Sequence, residues 1–170
     1  MKFSELLTEL GSDKCTLHSY GEFYDTIVAT RKISAVLEIG ILQGASLRAW
    51  HRLDSSIFTL GVDKDPVAGL NQVVATTPDY APVIRHCETN ALMFDLIIDD
   101  GSHLRIDQLA GLKQLNRFVR PGGLYVIEDV QKQSTIDEMR DRYDAKILDL
   151  RPIKGRRDDV IAYWYKPFVC

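Results

Sequence analysis

The stretch Phe94-Asp95-Leu96-Ile97-Ile98-Asp99-Asp100-Gly101-Ser102-His103 decides the fold. Its apolar centre is too continuous for a strand with one wet face and too short for a helix. It reads as a strand buried on both faces, the kind a parallel sheet contains. The run then stops in two aspartates, a glycine, a serine and a histidine. In an open α/β sheet, ligands bind outside the carboxyl ends of the strands, so this polar stop is where chemistry is expected.

Working outward, similar apolar runs recur with helical segments between them. Ala35-Val36-Leu37-Glu38-Ile39-Gly40 is a second buried strand, and residues 57–62 form a third that ends at Asp63. Helices are expected over 4–10, closed by Gly11, over 21–31 with Phe23, Ile27 and Val28 on one face, and over 44–53. A weaker helix is expected near 67–76 and a strand near 83–87. That strand leaves only 87–93 before Phe94, so the helix between them should be reduced or absent. After His103, a helix sets Ile106, Leu109, Leu112, Leu115 and Val119 on one stripe. Pro121-Gly122-Gly123 then turns into the strand Leu124-Tyr125-Val126-Ile127, which ends in Glu128-Asp129. Ser134 reads as an N-cap, with Ile136, Met139 and Tyr143 buried behind it. Two closing strands, 146–150 and 160–165, join through a turn at Lys154-Gly155. The pattern predicts an α/β, Rossmann-like doubly wound sheet of about seven strands, mostly parallel, with one antiparallel strand near the C-terminus. All 170 residues are read as one domain: helices over 1–32, a binding core over 33–130, and a helix and strand pair over 131–170.

Composition narrows the function. The chain has 21 Lys and Arg against 24 Asp and Glu, a net charge of −3, which argues against a nucleic-acid or anionic-membrane binder. Cys15, Cys87 and Cys170 are far apart and form no CxxC pair, so neither a disulfide framework nor a structural zinc site is expected. The start Met1-Lys2-Phe3-Ser4-Glu5 is too polar for a signal peptide, and no apolar run spans a membrane. The expectation is a cytoplasmic protein, with self-association left open.

Acids close the strands: Glu38, Asp63, Asp99-Asp100 and Glu128-Asp129 would repel one another at one sheet edge unless cations or ligand hydroxyls lie between them. The loop Glu38-Ile39-Gly40-Ile41-Leu42-Gln43-Gly44-Ala45-Ser46 lets a ligand approach the backbone, and Asp63 can hold ribose hydroxyls. Its Gly-x-x-x-Gly spacing does not meet the dinucleotide fingerprint. The plainer alternative is a tight turn with a capping aspartate.

Loop and acid together resemble the class I S-adenosylmethionine-dependent methyltransferases. Gly11-Ser12-Asp13-Lys14, His18-x-Tyr20, Leu37-Glu38-Ile39-Gly40, the Phe94–His103 stretch and Pro121-Gly122-Gly123-x-Tyr125-Val126-Ile127-Glu128-Asp129 narrow the resemblance. Together they are similar to the macrocin- and mycinamicin-type sugar O-methyltransferases and their cephalosporin-hydroxylase-like relatives, over roughly residues 11–130. The resemblance implies Mg²⁺ on Asp100, Glu128 and Asp129, and His103 as general base. It implies cofactor contacts from Lys14, His18, Glu38, Gly40, Gly44, Ser46, Asp63 and Asp99, with Glu88 and Thr89 near the adenine.

The physical logic agrees. Hard oxygen ligands on neighbouring strand ends suit Mg²⁺ and leave positions for a substrate diol, and imidazole suits removal of a hydroxyl proton near neutrality. Against this stand solvated strand ends and a histidine that merely begins a helix. The expected function is methyl transfer from S-adenosylmethionine to a hydroxyl of a sugar or other small glycosylated acceptor. The rivals are a nicotinamide-dependent oxidoreductase, an iron oxygenase and a cofactor-binding module without turnover. The basic cluster Lys154, Arg156 and Arg157 is expected to be a solvated turn, and Tyr163-Trp164-Tyr165 a core strand.

Overall fold

In a computed structural model that describes residues 1–167, Cys170 lies outside the described residues, and Cys15 and Cys87 are free thiols. Helices α1 (Phe3–Glu9), α2 (Asp13–Thr16) and α3 (Gly21–Thr30) lead into β1 (Ala35–Ile39), α4 (Ala45–Leu53), β2 (Phe58–Asp63) and β3 (Gln72–Val74). Then come α5 (Ala81–Thr89), β4 (Phe94–Asp99), α6 (Arg105–Leu115), a 3₁₀ turn (Asn116–Phe118) and β5 (Val119–Ile127). The chain continues through α7 (Gln133–Tyr143), β6 (Lys146–Asp149), α8 (Arg151–Lys154) and β7 (Val160–Tyr165). The seven strands form one sheet in the order β3-β2-β1-β4-β5-β7-β6. Strands β1 to β5 pair in parallel, and β7 runs antiparallel between β5 and β6. The expected mixed, Rossmann-like sheet is what the chain adopts.

Side-chain alternation splits the core into two layers. Leu37, Ile39, Ile97, Tyr125 and Ile127 pack against Val83 and Cys87 of α5, Leu112 and Leu115 of α6, and Ile136 and Met139 of α7. Val36, Leu96, Ile98, Leu124 and Val126 pack on the other side against Phe3, Leu6, Leu7, Tyr24, Ile27 and Trp50. No described helix is long and apolar enough to cross a membrane.

The middle of the chain departs from expectation. No helix forms near 67–76. Pro66, Gly69 and Asn71 break any helical run there, while Gln72–Val74 pairs in parallel with Gly61–Asp63. Conversely, 81–89 is helical rather than extended: Pro82 occupies the first turn, and Val83 and Cys87, four apart, share the buried face. The helix before β4 is therefore complete. Smaller differences follow from solvent. Ile106 is 69% exposed and Tyr143 43%, so neither belongs to its expected stripe, and Val119 opens β5. Lys132, not Ser134, precedes α7 as its N-cap. Pro121-Gly122-Gly123 is absorbed into β5 at a register shift against β4.

Candidate active site

Strand register builds this site. Ile39 pairs with Asp99, and Asp99 with Ile127, so Asp100 and Glu128 stand side by side just beyond β4 and β5. Alternation turns Glu38, Asp100 and Glu128 toward the α1–α3 layer and Asp99 toward α6. There Lys14, on α2, places its ammonium 3.2 Å from Glu38, 2.6 Å from Asp100 and 2.5 Å from Glu128. Tyr24 donates to the other Glu128 oxygen. Asp129 accepts from the Tyr20 hydroxyl on Oδ1 and stands 3.2 Å from His18 Nδ1, which lies equally close to the fully buried Asp159. His18 also stacks on the Tyr20 ring, with centroids 4.8 Å apart.

Burial dominates the electrostatics. It pushes the Glu38 and Glu128 carboxyls up, with Lys14 only partly compensating, and it raises Asp129 as well. Burial pulls the Lys14 ammonium down, but the charges of Asp100, Glu128 and Glu38 outweigh it and hold the lysine above its usual range. The Tyr20 and Tyr24 phenols are raised by burial and stay protonated donors.

Asp100, His103 and Asp129 each offer a ligand atom, and these atoms lie within 4.8 Å of one another. Lys14 holds Asp100 Oδ2 and Tyr20 holds Asp129 Oδ1, while Asp129 Oδ2 faces His103 Nδ1 at 3.7 Å. His103 Nδ1 is buried without a hydrogen-bond partner. Both His103 (φ 57°) and Asp129 (φ 54°) take left-handed backbone, a conformation that costs energy outside glycine and clusters at functional sites. Two carboxylates and an imidazole, with an unpartnered nitrogen among them, fit a divalent cation. Glu128 stands beside this group, with one oxygen accepting from Lys14 and the other from Tyr24.

Beside this group runs the glycine loop. Gly40 (φ 79°) lets β1 pass so close to the 100–101 turn that a Cβ there would lie 2.0 Å from the Asp100 carbonyl oxygen. Asp63 Oδ2 accepts from the amides of Ile41 and Leu42, at 3.0 Å each, and so shapes the loop. Gly44, left-handed, precedes α4 as its N-cap. Buried Glu38 Oε2 and Ser46 Oγ have no partner in the protein, and they flank this loop in sequence. Open backbone and unpaired polar atoms fit a polar cofactor.

The remaining residues expected at the cofactor divide between the site and places away from it. Lys14 and His18 are engaged with carboxylates. Asp99, pushed up to about 8 by burial, faces Tyr80, Tyr125 and Gly111 in the opposite layer. Glu88 and Thr89 end α5, at the far edge of the sheet, where Glu88 pairs with Arg117. The chain reaching the site edge after β3 is instead 75–78, and the Thr77 hydroxyl lies 3.5 Å from Asp107. Lys154 is exposed, as expected of a solvated turn, and its ammonium also donates to the carbonyls of Cys15, Thr16 and His18. Tyr20, Tyr24 and Asp159 were not singled out by the sequence as site residues. Asp159 had a signal: it precedes an antiparallel strand, whose start lies at the edge where parallel strands end.

No family profile matches the chain. Over 137 residues it is 34% identical to the 8-demethyl-8-alpha-L-rhamnosyl tetracenomycin-C 2'-O-methyltransferase of Streptomyces olivaceus, covering 71% of this chain and 35% of that protein. It is 35% identical over 106 residues to the demethylmacrocin O-methyltransferase of Streptomyces fradiae, covering 56% and 27%. Among solved structures, MycE methyltransferase from the mycinamycin biosynthetic pathway, in complex with Mg and S-adenosylhomocysteine, superposes with TM-score 0.72. That match is 25% identical and covers 99% of this chain and 55% of that one. The complex that also holds mycinamycin VI gives 30% identity and TM-score 0.65, over 76% and 37%. The chain thus spans about a third of the length of the curated relatives it matches.

Proposed function

We propose that this chain, which is related to the S-adenosylmethionine-dependent sugar O-methyltransferases of the macrocin and mycinamicin type, transfers a methyl group from S-adenosylmethionine to a hydroxyl of a sugar or glycosylated small molecule. The observation that carries the reading is the convergence of Asp100, His103 and Asp129 beside the Gly40–Asp63 loop.

In this reading the loop from Gly40 to Gly44 and Ser46 admits the cofactor, Asp63 holds its ribose, and residues 75–78 line its adenine side. Asp100 and Asp129 would hold Mg²⁺, the ion with which the related MycE methyltransferase is complexed. A bound divalent ion would supply Lewis acidity to an acceptor hydroxyl. Aligning the acceptor oxygen with the sulfonium methyl supplies much of the rate. As the carbon–oxygen bond forms and the carbon–sulfur bond breaks, His103 takes the hydroxyl proton on its ring nitrogen. His103 stands beside the two carboxylates, its Nδ1 3.7 Å from Asp129 Oδ2.

The test is methyl transfer from labelled S-adenosylmethionine to a panel of glycosides with vicinal diols. Turnover should fall in EDTA, return with Mg²⁺, and drop about 10²–10⁴-fold in His103→Gln. Full turnover in EDTA refutes the metal's part, and a normal rate in His103→Gln refutes the base. Binding of NAD in place of S-adenosylhomocysteine would move the chain to a different reaction class.

A further inference from the structure

The first turn of α6 buries an acid that the proposed reaction leaves without a task. Asp107 is 7% exposed, and its carboxylate is met by hydroxyls. Ser102 donates to Oδ2 at 2.6 Å, and the Thr77 hydroxyl lies 3.5 Å from the same oxygen. Asp107 does not cap its own helix, because Leu104 holds the N-cap position with no side-chain hydrogen bond. A buried carboxylate is costly unless it is hydrogen-bonded, so Asp107 claims the Ser102 proton.

The direction of that bond fixes the residues around it. A serine hydroxyl has a single proton. With the proton on Asp107, the Ser102 oxygen can only accept elsewhere, and it accepts from the Leu104 amide at 3.3 Å. Ser102 and Leu104 are the two chain neighbours of His103, so the serine side chain closes a loop across the histidine. His103 is held at φ 57°, a conformation that costs energy and persists only where its surroundings over-determine it. From that backbone its Nδ1 stands 3.7 Å from Asp129 Oδ2. We propose that Asp107 is a positioning residue: by holding the Ser102 hydroxyl, it fixes the left-handed backbone of His103 and with it the place of the imidazole beside Asp129. The inference rests on the reading of His103 as base and adds what keeps that base in place. A relaxed His103 would send its Cβ in another direction, and a misplaced base lowers the rate without lowering binding.

The experiment uses the full chain, isotope-labelled for NMR, with circular dichroism to check that each variant is folded. Positive φ brings a residue's amide proton close to its own Hα, so His103 should give a strong intraresidue amide–Hα cross-peak. Ser102 is exposed, and Ser102→Ala removes the link without opening the core. That cross-peak should weaken in Ser102→Ala and in Asp107→Ala. In Ser102→Ala, kcat should fall about 10–100-fold while the KM for S-adenosylmethionine holds. If Asp107 acts through Ser102, the double variant should be no slower than the slower single variant. A wild-type His103 without the strong cross-peak overturns the proposal, and so does a cross-peak unchanged in either variant. A raised KM with kcat intact overturns it too, making Ser102 a cofactor contact. Additive losses in the double variant would separate Asp107 from Ser102 and overturn the link. Should Asp107→Ala fail to fold, Asp107→Asn, which keeps the size and loses the charge, takes its place and should also weaken the peak. A cross-peak lost with kcat unchanged refutes His103 as base and leaves the positioning intact. With no methyl transfer in wild type, the cross-peaks alone decide this inference.

Discussion

Replacing Gly40 by alanine tests whether the close approach of β1 to the turn after β4 is what assembles the site. The added Cβ would lie 2.0 Å from the Asp100 carbonyl oxygen, 2.6 Å from its carbon and 2.7 Å from Gly101 Cα. All three atoms are backbone, so no side chain can swing aside. The backbone at Gly40 also has φ 79°, which alanine adopts only at a cost of about 1–2 kcal/mol. Displacing well-packed neighbours adds about 1–3 kcal/mol, for a total loss of about 2–5 kcal/mol. Gly69 provides the control: its φ is 77°, but a Cβ there meets nothing within 4 Å. Gly69→Ala should therefore cost only the conformational part. Urea denaturation of both variants gives the two stabilities, and a Mn²⁺ titration, read by the loss of free-ion EPR signal, reports whether Asp100 has moved. Gly40→Ala should be the less stable by at least about 1 kcal/mol and should bind Mn²⁺ more weakly. Equal losses in the two variants, with Mn²⁺ affinity intact, would refute the close-approach argument.

Two further outcomes are expected. Asp63→Ala removes the acceptor that binds the Ile41 and Leu42 amides, so S-adenosylhomocysteine affinity measured by calorimetry should fall by about 1.5–3 kcal/mol; unchanged affinity would show that Asp63 neither shapes the loop for the cofactor nor binds it. Burial holds the Asp99 carboxyl up to about 8. The folded chain therefore keeps a proton that the unfolded chain releases near pH 4, and stability falls as pH rises toward 8 by up to about 1.4 kcal/mol per pH unit. Asp99→Asn removes that slope, so its advantage in urea titrations should grow from pH 5 to pH 8 and then level off. Parallel curves for the two proteins would mean Asp99 is ionised in the fold.

Local pattern carried most of the architecture. Continuous apolar runs at Ala35–Ile39 and Phe94–Asp99 can only be strands buried on both faces, and their polar stops mark the edge where a site forms. Reading failed between 67 and 89, where short segments with mixed polarity satisfy helix and strand equally well over a few residues. Strand pairing to β2 settled the first half there and the shared face of Val83 and Cys87 the second, and with them the place of Glu88 and Thr89. The acids of the site, Asp159 apart, were legible as residues. Which of them face one another was not, because side-chain alternation sends neighbours such as Asp99 and Asp100 to opposite layers. Partnership was decided further away still: Lys14, Tyr20, Tyr24 and Asp159 come from segments far from Glu128 and Asp129 in sequence. Sequence determines which groups can ionise and where a strand must end. Only packing determines which charges are stripped of water together, and so that Glu128 lies against Lys14.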